Sequence, residues 1–297
     1  MIGIHIGMLP GNTFGAATEI FQQLRERYSL SACEIHLERS LYSPAIWPWD
    51  STAQADAAAL RSTVARMGVH LPFVDMNPVS ANPRISEVSR SILEESLEFA
   101  SQIRADYAVF HARGHIEGNG SREKELRLWK DVVAGLGEKA SSLGVTFCLE
   151  NADDLRDMRE VRLLLGGLGK SVRMCLDIGH LFERRYSASF LPRLIYALND
   201  RISPFPFAWT KGLPMETGYD WHRTIGALAG GTACIHLHSH DGRAAHCRLK
   251  KGKIDFTPLR NLAKLVFDIP VILEADYSRC TVDEIGDDIR YLGELLS

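Results

Sequence analysis

Short apolar runs recur along the chain and alternate with longer segments in which apolar residues repeat at steps of three and four. Nearly continuous apolar runs of this length are typical of parallel strands that are buried on both faces. The pattern predicts eight strands, at about residues 2–7, 33–38, 69–74, 107–111, 145–150, 172–177, 233–238 and 270–275. The segments between these strands predict helices.

The clearest helical pattern runs from about Arg122 to Leu143. Gly144 is a typical residue for the end of such a helix. Its predicted buried face consists of Leu126, Trp129, Val133, Leu136, Ala140 and Leu143. A second helix is predicted at about residues 86–105, with a buried face made of Val88, Ile92, Phe99 and Ile103. The last helix begins with Thr281-Val282-Asp283-Glu284, which is a capping-box pattern.

Regular alternation of strands and helices predicts parallel β-α-β units, and eight such units most simply close into a (β/α)8 barrel. The alternative α/β architecture is an open doubly wound sheet. That fold usually carries a glycine-rich phosphate turn after an early strand, and neither a G-x-G-x-x-G nor a Walker pattern occurs in the sequence. We therefore expect one domain, over residues 1–297, with the TIM-barrel fold.

One segment interrupts the regular spacing, between the sixth and seventh predicted strands. Residues 199–222 are rich in proline and aromatic residues, which is unusual for a flexible linker. Three interpretations fit this excursion: a lid over the site, a contact between the subunits of a homo-oligomer, or a packed surface segment.

The charge balance narrows the classes of partner. Lys plus Arg number 34 and Asp plus Glu number 37, for a net charge of -3, so the basic excess of a duplex-DNA-binding protein is missing. No apolar run reaches the roughly 18 residues that predict a membrane span. The first residues already have a strand pattern and no basic leader, so we expect a cytoplasmic protein with reduced cysteines.

Metal-type ligands stand at the ends of several predicted strands. Glu150, Asp177, His236 and Glu274 end four of the apolar runs, and His70 and His111 end two more. The active sites of TIM barrels lie at the carboxyl ends of the strands. Buried carboxylates are costly unless they are paired or bind a cation, so this set predicts a divalent metal. Oxygen ligands with one imidazole suit Mn²⁺, Mg²⁺ or Zn²⁺.

Three cysteines lie two residues before three of these ligands. Because side chains alternate along a strand, Cys148, Cys175 and Cys234 share the inward face, one layer deeper than the ligands. Three thiols could form a metal site of their own. A buried cysteine is more often a small apolar residue, so we expect these three to fill the core.

The residues around these strand ends resemble the xylose isomerase-like barrel superfamily. The resemblance rests on four stretches and on a segment near Gly252: Leu149-Glu150-Asn151, Leu176-Asp177-Ile178-Gly179-His180, Ile235-His236-Leu237-His238, Leu273-Glu274 and Lys251-Gly252-Lys253-Ile254-Asp255-Phe256. Lys251 stands where the superfamily commonly has glycine. The superfamily includes sugar isomerases and epimerases, inosose dehydratases and apurinic endonucleases.

The epimerase branch implies one divalent metal ion, Mn, Zn or Mg, held by Glu150, Asp177, His236 and Glu274. The resemblance also implies that Glu150 and Glu274 are the catalytic acid/base pair. They would move a proton next to the carbonyl of a sugar or polyol through an enediolate. It places His180 and Arg243 at substrate-contacting positions, with His70 and His111 as further candidates. His238 has the same strand parity as His236 and is the alternative ligand.

The endonuclease branch implies three metals and phosphodiester hydrolysis instead. His70, His111, His180 and His246 are then additional metal ligands. The aspartate that pairs with the last histidine in that branch is missing, because Ala245 stands near its place. Two further alternatives are a lyase that resembles inosose dehydratase and a non-catalytic binding barrel. The sequence favours the isomerase or epimerase and a small-molecule substrate over nucleic acid.

Overall fold

Eight parallel strands form a closed barrel in which each strand pairs with its neighbours in chain order and β8 pairs with β1. This computed structural model describes residues 1–38, 46, 48–112, 122–152, 158–168, 171–181, 231–242, 244–262 and 268–297. The strands are β1 Ile2–His5, β2 Ala32–His36, β3 Arg66–His70, β4 Tyr107–Phe110, β5 Thr146–Glu150, β6 Val172–Asp177, β7 Thr232–Leu237 and β8 Val271–Leu273. The predicted (β/α)8 barrel is confirmed.

Helices cover the outside of the barrel. Within the described residues they are α1 Phe14–Tyr28, α2 Ser51–Arg61, α3 Pro83–Gln102, α4 Arg122–Ser142, α5 Met158–Leu165 and α6 Val282–Leu296, with 3-10 segments at Ile6–Met8 and Thr257–Leu262. Side chains cap the starts of several helices, as Asp50 does for α2 and Asn82 for α3. The predicted capping box at Thr281 and Glu284 is present at the start of α6.

The sequence predicted the buried face of α3 only in part, because Phe99 and Ile103 are buried as predicted but Val88 is not. Val88, predicted to be buried, is 59% exposed, whereas Leu93, Leu97 and Ala100 are buried. Two serines explain the error, because Ser89 and Ser96 lie on the buried face and have hydrogen-bond partners there, the N–H of Asn77 at 3.0 Å in the case of Ser89. Ser96, for example, donates to the carbonyl of Leu93 at 2.7 Å. The third strand was also placed too late, because β3 begins at Arg66.

The core has an outer and an inner part. Apolar side chains on the outer face of the strands pack against the helices, whereas a smaller cluster fills the barrel itself: Tyr107, Val109, Cys148, Cys175 and Cys234. Gly68 makes room for this cluster, because a Cβ there would overlap the Tyr107 ring. Burial raises the pKa of the three inner thiols, which favours neutral core side chains over metal-binding thiolates.

Some sequence predictions lie outside the described residues. They are the function of the 199–222 excursion and the position of Arg243. Within the described residues, no helix combines the length and apolar character that crossing a bilayer requires.

Candidate metal centre

A ring of ionisable side chains closes the carboxyl end of the barrel. Each strand contributes one at its last residue or one residue away: His5, His36, His70, His111, Glu150, Asp177, His236 and Glu274. All of them except His36 are buried. The first four strands supply imidazoles, and the last four supply three carboxylates and one imidazole. This ring forms because a parallel barrel brings all strand ends to one face.

Four of these side chains converge on one point. Nδ1 of His236 lies 3.2 Å from Oε2 of Glu150 and 2.9 Å from Oε2 of Glu274. Together with Asp177, these residues each place one ligand atom within 4.8 Å of the others. His238 is not a member of this group. Its Nε2 contacts only one of the four residues, Asp177, at 3.3 Å from Oδ1. The structure therefore places His236 among the three carboxylates.

Buried polar atoms at this point lack hydrogen bonds that would stabilise them. Within the described chain no hydrogen-bond partner exists for either carboxylate oxygen of Glu150, Oδ2 of Asp177, Oε2 of Glu274 or Nδ1 of His236. Such groups cost free energy when they are buried unless a ligand satisfies them. Ligand atoms that crowd together without hydrogen bonds fit a divalent cation, so the residues suit the metal that the sequence predicted.

The carboxylates of this set are held in their ionised form. Burial alone would raise the pKa of Glu150, but the positive charges of His111 and His236 lower it well below its ordinary value. Glu274 behaves in the same way: burial opposes ionisation, and His236 lowers its pKa well below the usual range. For His236 burial would lower the pKa, but Cys175, Glu34 and the carboxylates at its Nδ1 raise it well above its ordinary value. The electrostatics therefore favour a positive charge, either a proton or a cation.

A second ligand group shares Glu150. Oε2 of Glu150 lies 3.1 Å from Nε2 of His111 and 3.8 Å from Nε2 of His70. The Nδ1–H of His70 can donate to the carbonyl of Leu71 at 3.1 Å, which leaves a lone pair on Nε2. Burial and the neighbouring His111 keep the pKa of His70 well below its usual value, so its ring is neutral.

A third group consists of His180, His238 and His246, whose ligand atoms also lie within 4.8 Å of one another. Nδ1 of His246 can donate to the carbonyl of Glu274 at 2.8 Å. The His246 ring stacks on the His238 ring, with 4.0 Å between the ring centroids. Burial and the His238 charge lower the pKa of His246 to about 4. His246 adopts a left-handed backbone with a φ of 57°, which orients it toward the group.

Backbone contacts around Asp177 fix the central group. Asn151 follows Glu150 and forms two hydrogen bonds of 2.8 Å with the main chain of Asp177, one to its N–H and one to its carbonyl. The N–H of His180 donates to Oδ1 of Asp177 at 2.5 Å. The side chain of Asn151 therefore joins the ends of β5 and β6, a function that its position beside Glu150 did not reveal.

Gly179 leaves space for the His238 ring, because a Cβ at this position would overlap three atoms of the imidazole. We expect Gly179→Ala to displace His238 and to lower the free energy of unfolding by about 1–3 kcal/mol, the usual cost of overpacking. Urea unfolding measures this change. Gly135→Ala is the matched control, because nothing lies within 4 Å of its added Cβ in α4. Equal stability of the two variants would contradict the account.

The sequence interpretation missed two buried side chains of β1 and β2. His5 and Glu34 are 2% and 0% exposed, and Nε2 of His5 lies 3.6 Å from Oε1 of Glu34. The available signal was a charged residue inside an otherwise apolar strand, Ala32-Cys33-Glu34-Ile35. A lone carboxylate in a strand that is buried on both faces needs a hydrogen-bonding or charged partner. Inside the barrel the imidazoles of His5 and His236 face Glu34.

Burial, opposed by the charge of Glu274, lowers the pKa of His5 to about 3. The unfolded chain binds this proton near pH 6.5, so the contribution of His5 to stability is lost as the pH falls from 6.5 toward 3. At pH 5 the loss is about 2 kcal/mol. We expect metal-free wild type to lose about that much stability relative to His5→Gln between pH 7.5 and pH 5 in urea unfolding. A difference that does not change with pH would contradict the assignment.

Comparison with known proteins identifies the fold family. The family model described as "Xylose isomerase-like TIM barrel" matches residues 28–295. The chain belongs to this family. The resemblance that the strand-end motifs indicated is therefore confirmed.

The proteins that this chain resembles carry two kinds of name. The chain is 28% identical over 249 residues to "Probable endonuclease 4" of Mycobacterium bovis, covering 80% of this chain and 82% of that protein. Its fold is similar to a D-tagatose 3-epimerase-like protein, with a TM-score of 0.70, 19% identity and coverage of 99% and 96%. Endonuclease IV from Thermus thermophilus gives a TM-score of 0.62, 19% identity and coverage of 99% and 98%. The structural similarities show the fold.

Proposed function

We propose that this xylose isomerase-like barrel is a metal-dependent sugar isomerase or epimerase. The convergence of Glu150 and Glu274 supports the proposal most directly. The two carboxylates come from strands that are not adjacent, β5 and β8, and both lie against Nδ1 of His236. Two carboxylates that reach one point from different sides suit removal of a proton at one carbon and its return from another direction.

The pair divides the proton transfer between its members. Both carboxylates are ionised, because the charge of His236 keeps the pKa of each low despite burial. One glutamate accepts the proton next to the substrate carbonyl and, as the resulting acid, returns it to the neighbouring carbon. For return to the opposite face, the other glutamate first takes up a proton from solvent and donates that proton instead. The neutral ring of His70 is a hydrogen-bonding group for a substrate hydroxyl, and we assign His180 and His111 the same function.

The proposed metal is held by Glu150, Asp177, His236 and Glu274. A divalent cation at this position supplies positive charge that polarises a carbonyl and stabilises the negative charge that proton removal creates. The barrel residues orient the sugar between the carboxylates and exclude water from the buried end of the site. The metal is Mn, Zn or Mg, and the substrate is a ketose, an aldose or a related polyol.

The proposal predicts solvent hydrogen exchange. Purified protein with Mn²⁺ is incubated with a panel of ketoses and aldoses in D₂O, and mass spectrometry and NMR locate the deuterium. We expect deuterium at the carbon next to the carbonyl of at least one sugar, and no uptake with Glu274→Gln. Absence of deuterium from every sugar of a broad panel would overturn proton-transfer chemistry.

Phosphodiester hydrolysis with several metals is the second candidate, and one observation favours it. Main-chain carbonyls bind Nδ1 of both His70 and His246, so Nε2 of each ring presents a lone pair to its ligand group. This orientation is typical of imidazoles that bind metal. The named endonuclease relatives support the same alternative.

Metal content and substrate separate the two candidates. Elemental analysis of the metal-saturated protein near one ion per chain supports the isomerase, and a value near three supports the hydrolase. A duplex with a single abasic site is the test substrate for hydrolysis. Cleavage that requires His111 and His246 would replace the isomerase proposal.

A further inference from the structure

Glu34 is a buried carboxylate that the proton transfer does not use. It lies on β2 with an exposed fraction of 0%, and its Oε2 lies 3.1 Å from Nε2 of His236. Its other oxygen faces His5 at 3.6 Å. An isolated carboxylate in such surroundings is costly, so the hydrogen bond to His236 is the contact that makes its burial tolerable.

The two nitrogens of His236 face different partners. Nδ1 faces the carboxylates of Glu150 and Glu274, and Nε2 faces Glu34. Burial raises the pKa of Glu34, and the 3.1 Å contact with His236 opposes that shift. In its ionised form Glu34 only accepts hydrogen bonds, so this contact places the proton on Nε2. In a neutral ring that arrangement leaves the lone pair on Nδ1, directed at the centre of the ligand group.

We propose that Glu34 is a positioning residue that holds the His236 ring with Nδ1 toward the divalent cation. The inference rests on the metal site of the proposed function. A carboxylate behind a metal-binding imidazole fixes its orientation and tautomer and raises its basicity, and its removal typically weakens metal binding 10- to 100-fold. Glu34 is far from His236 in the sequence, because Glu34 lies on β2 and His236 lies on β7.

The test measures metal coordination directly rather than turnover. Wild type and variants with ¹⁵N-labelled histidine are loaded with ¹¹³Cd²⁺, and the ¹⁵N–¹¹³Cd coupling identifies which nitrogen of His236 binds. Competition with a chelator gives the dissociation constant. His236→Asn assigns the signal. Asp106→Asn is the matched control, because this carboxylate caps the opposite end of the barrel through Arg66 and the N–H of Met67.

We expect coupling to Nδ1 in wild type and a dissociation constant that rises roughly 10- to 100-fold in Glu34→Ala. Glu34→Gln keeps the size of the side chain and one acceptor oxygen, so we expect a smaller loss there. If Glu34→Ala does not fold, the cadmium affinity of Glu34→Gln alone tests the positioning function. Asp106→Asn should alter stability but leave cadmium affinity unchanged.

Two results would overturn the inference: coupling to Nε2 in wild type, or cadmium affinity within about twofold of wild type in both Glu34 variants, well below the loss typical of such partners. Failure of the proposed function looks different. If cadmium couples to Nδ1 and weakens in the Glu34 variants, but no sugar takes up deuterium, the positioning function stands and the isomerase proposal fails.

Discussion

Glu150→Gln should abolish both metal binding and turnover. Glu150 belongs to two ligand groups, with Asp177, His236 and Glu274 in one and with His70 and His111 in the other. Its loss removes a negative charge that balances the surrounding imidazoles. We expect metal affinity to fall by about 100-fold or more, beyond the loss of an outer partner. Loss of an acid/base group alone lowers turnover roughly 10²- to 10⁴-fold.

Chelator competition and deuterium uptake measure the two effects separately. Asp106→Asn serves as the control here as well, because it removes a carboxylate from the amino-terminal end of the barrel and leaves the strand ends intact. If Glu150→Gln binds metal as tightly as wild type, Glu150 is not a ligand. If it binds metal weakly but keeps full turnover at saturating metal, Glu150 is not the acid/base residue.

Removal of metal should destabilise the whole barrel. Glu150, Asp177 and Glu274 are 0–4% exposed, and several of their oxygens lack hydrogen bonds within the described residues. A cation that binds only the folded chain stabilises it by about 4 kcal/mol at a free concentration about 1,000 times its dissociation constant. We expect chelated protein to unfold at lower urea concentration, and Mn²⁺ or Zn²⁺ to restore the wild-type midpoint.

His236→Asn tests whether the metal stabilises the barrel through this ligand group, because the metal should stabilise the variant much less than wild type. The comparison must use the same free metal concentration for both proteins. Identical midpoints for wild type with and without chelator would show that the buried carboxylates tolerate each other without a cation. That result would remove the physical basis of the metal assignment.

Strand periodicity was enough to predict the barrel, because eight buried parallel strands leave few alternatives. The convergence of the strand-end carboxylates was predictable for the same reason. A strand that is buried on both faces tolerates a carboxylate poorly, so Glu150, Asp177 and Glu274 stand out at the ends of their apolar runs. Parallel pairing then brings these ends together, and the register confirms it where Asp177 lies beside His236.

Contacts between distant strands were not predictable from local pattern. Glu34 meets His236 only because the barrel closes, and strand periodicity alone does not say which strands face each other across its interior. The buried face of α3 was assigned only in part, because Ser89 and Ser96 stand there in place of apolar residues. Asn151 and Gly179 stand in motifs that the sequence displayed, but only the structure shows that one joins two strand ends and the other makes room for His238.

The central claim is that one divalent cation lies among the four strand-end ligands. Anomalous diffraction from crystals saturated with Mn²⁺, with data recorded on both sides of the manganese absorption edge, tests this claim most directly. The account predicts a strong anomalous peak enclosed by Glu150, Asp177, His236 and Glu274. Metal-saturated crystals without a peak at that position would contradict it.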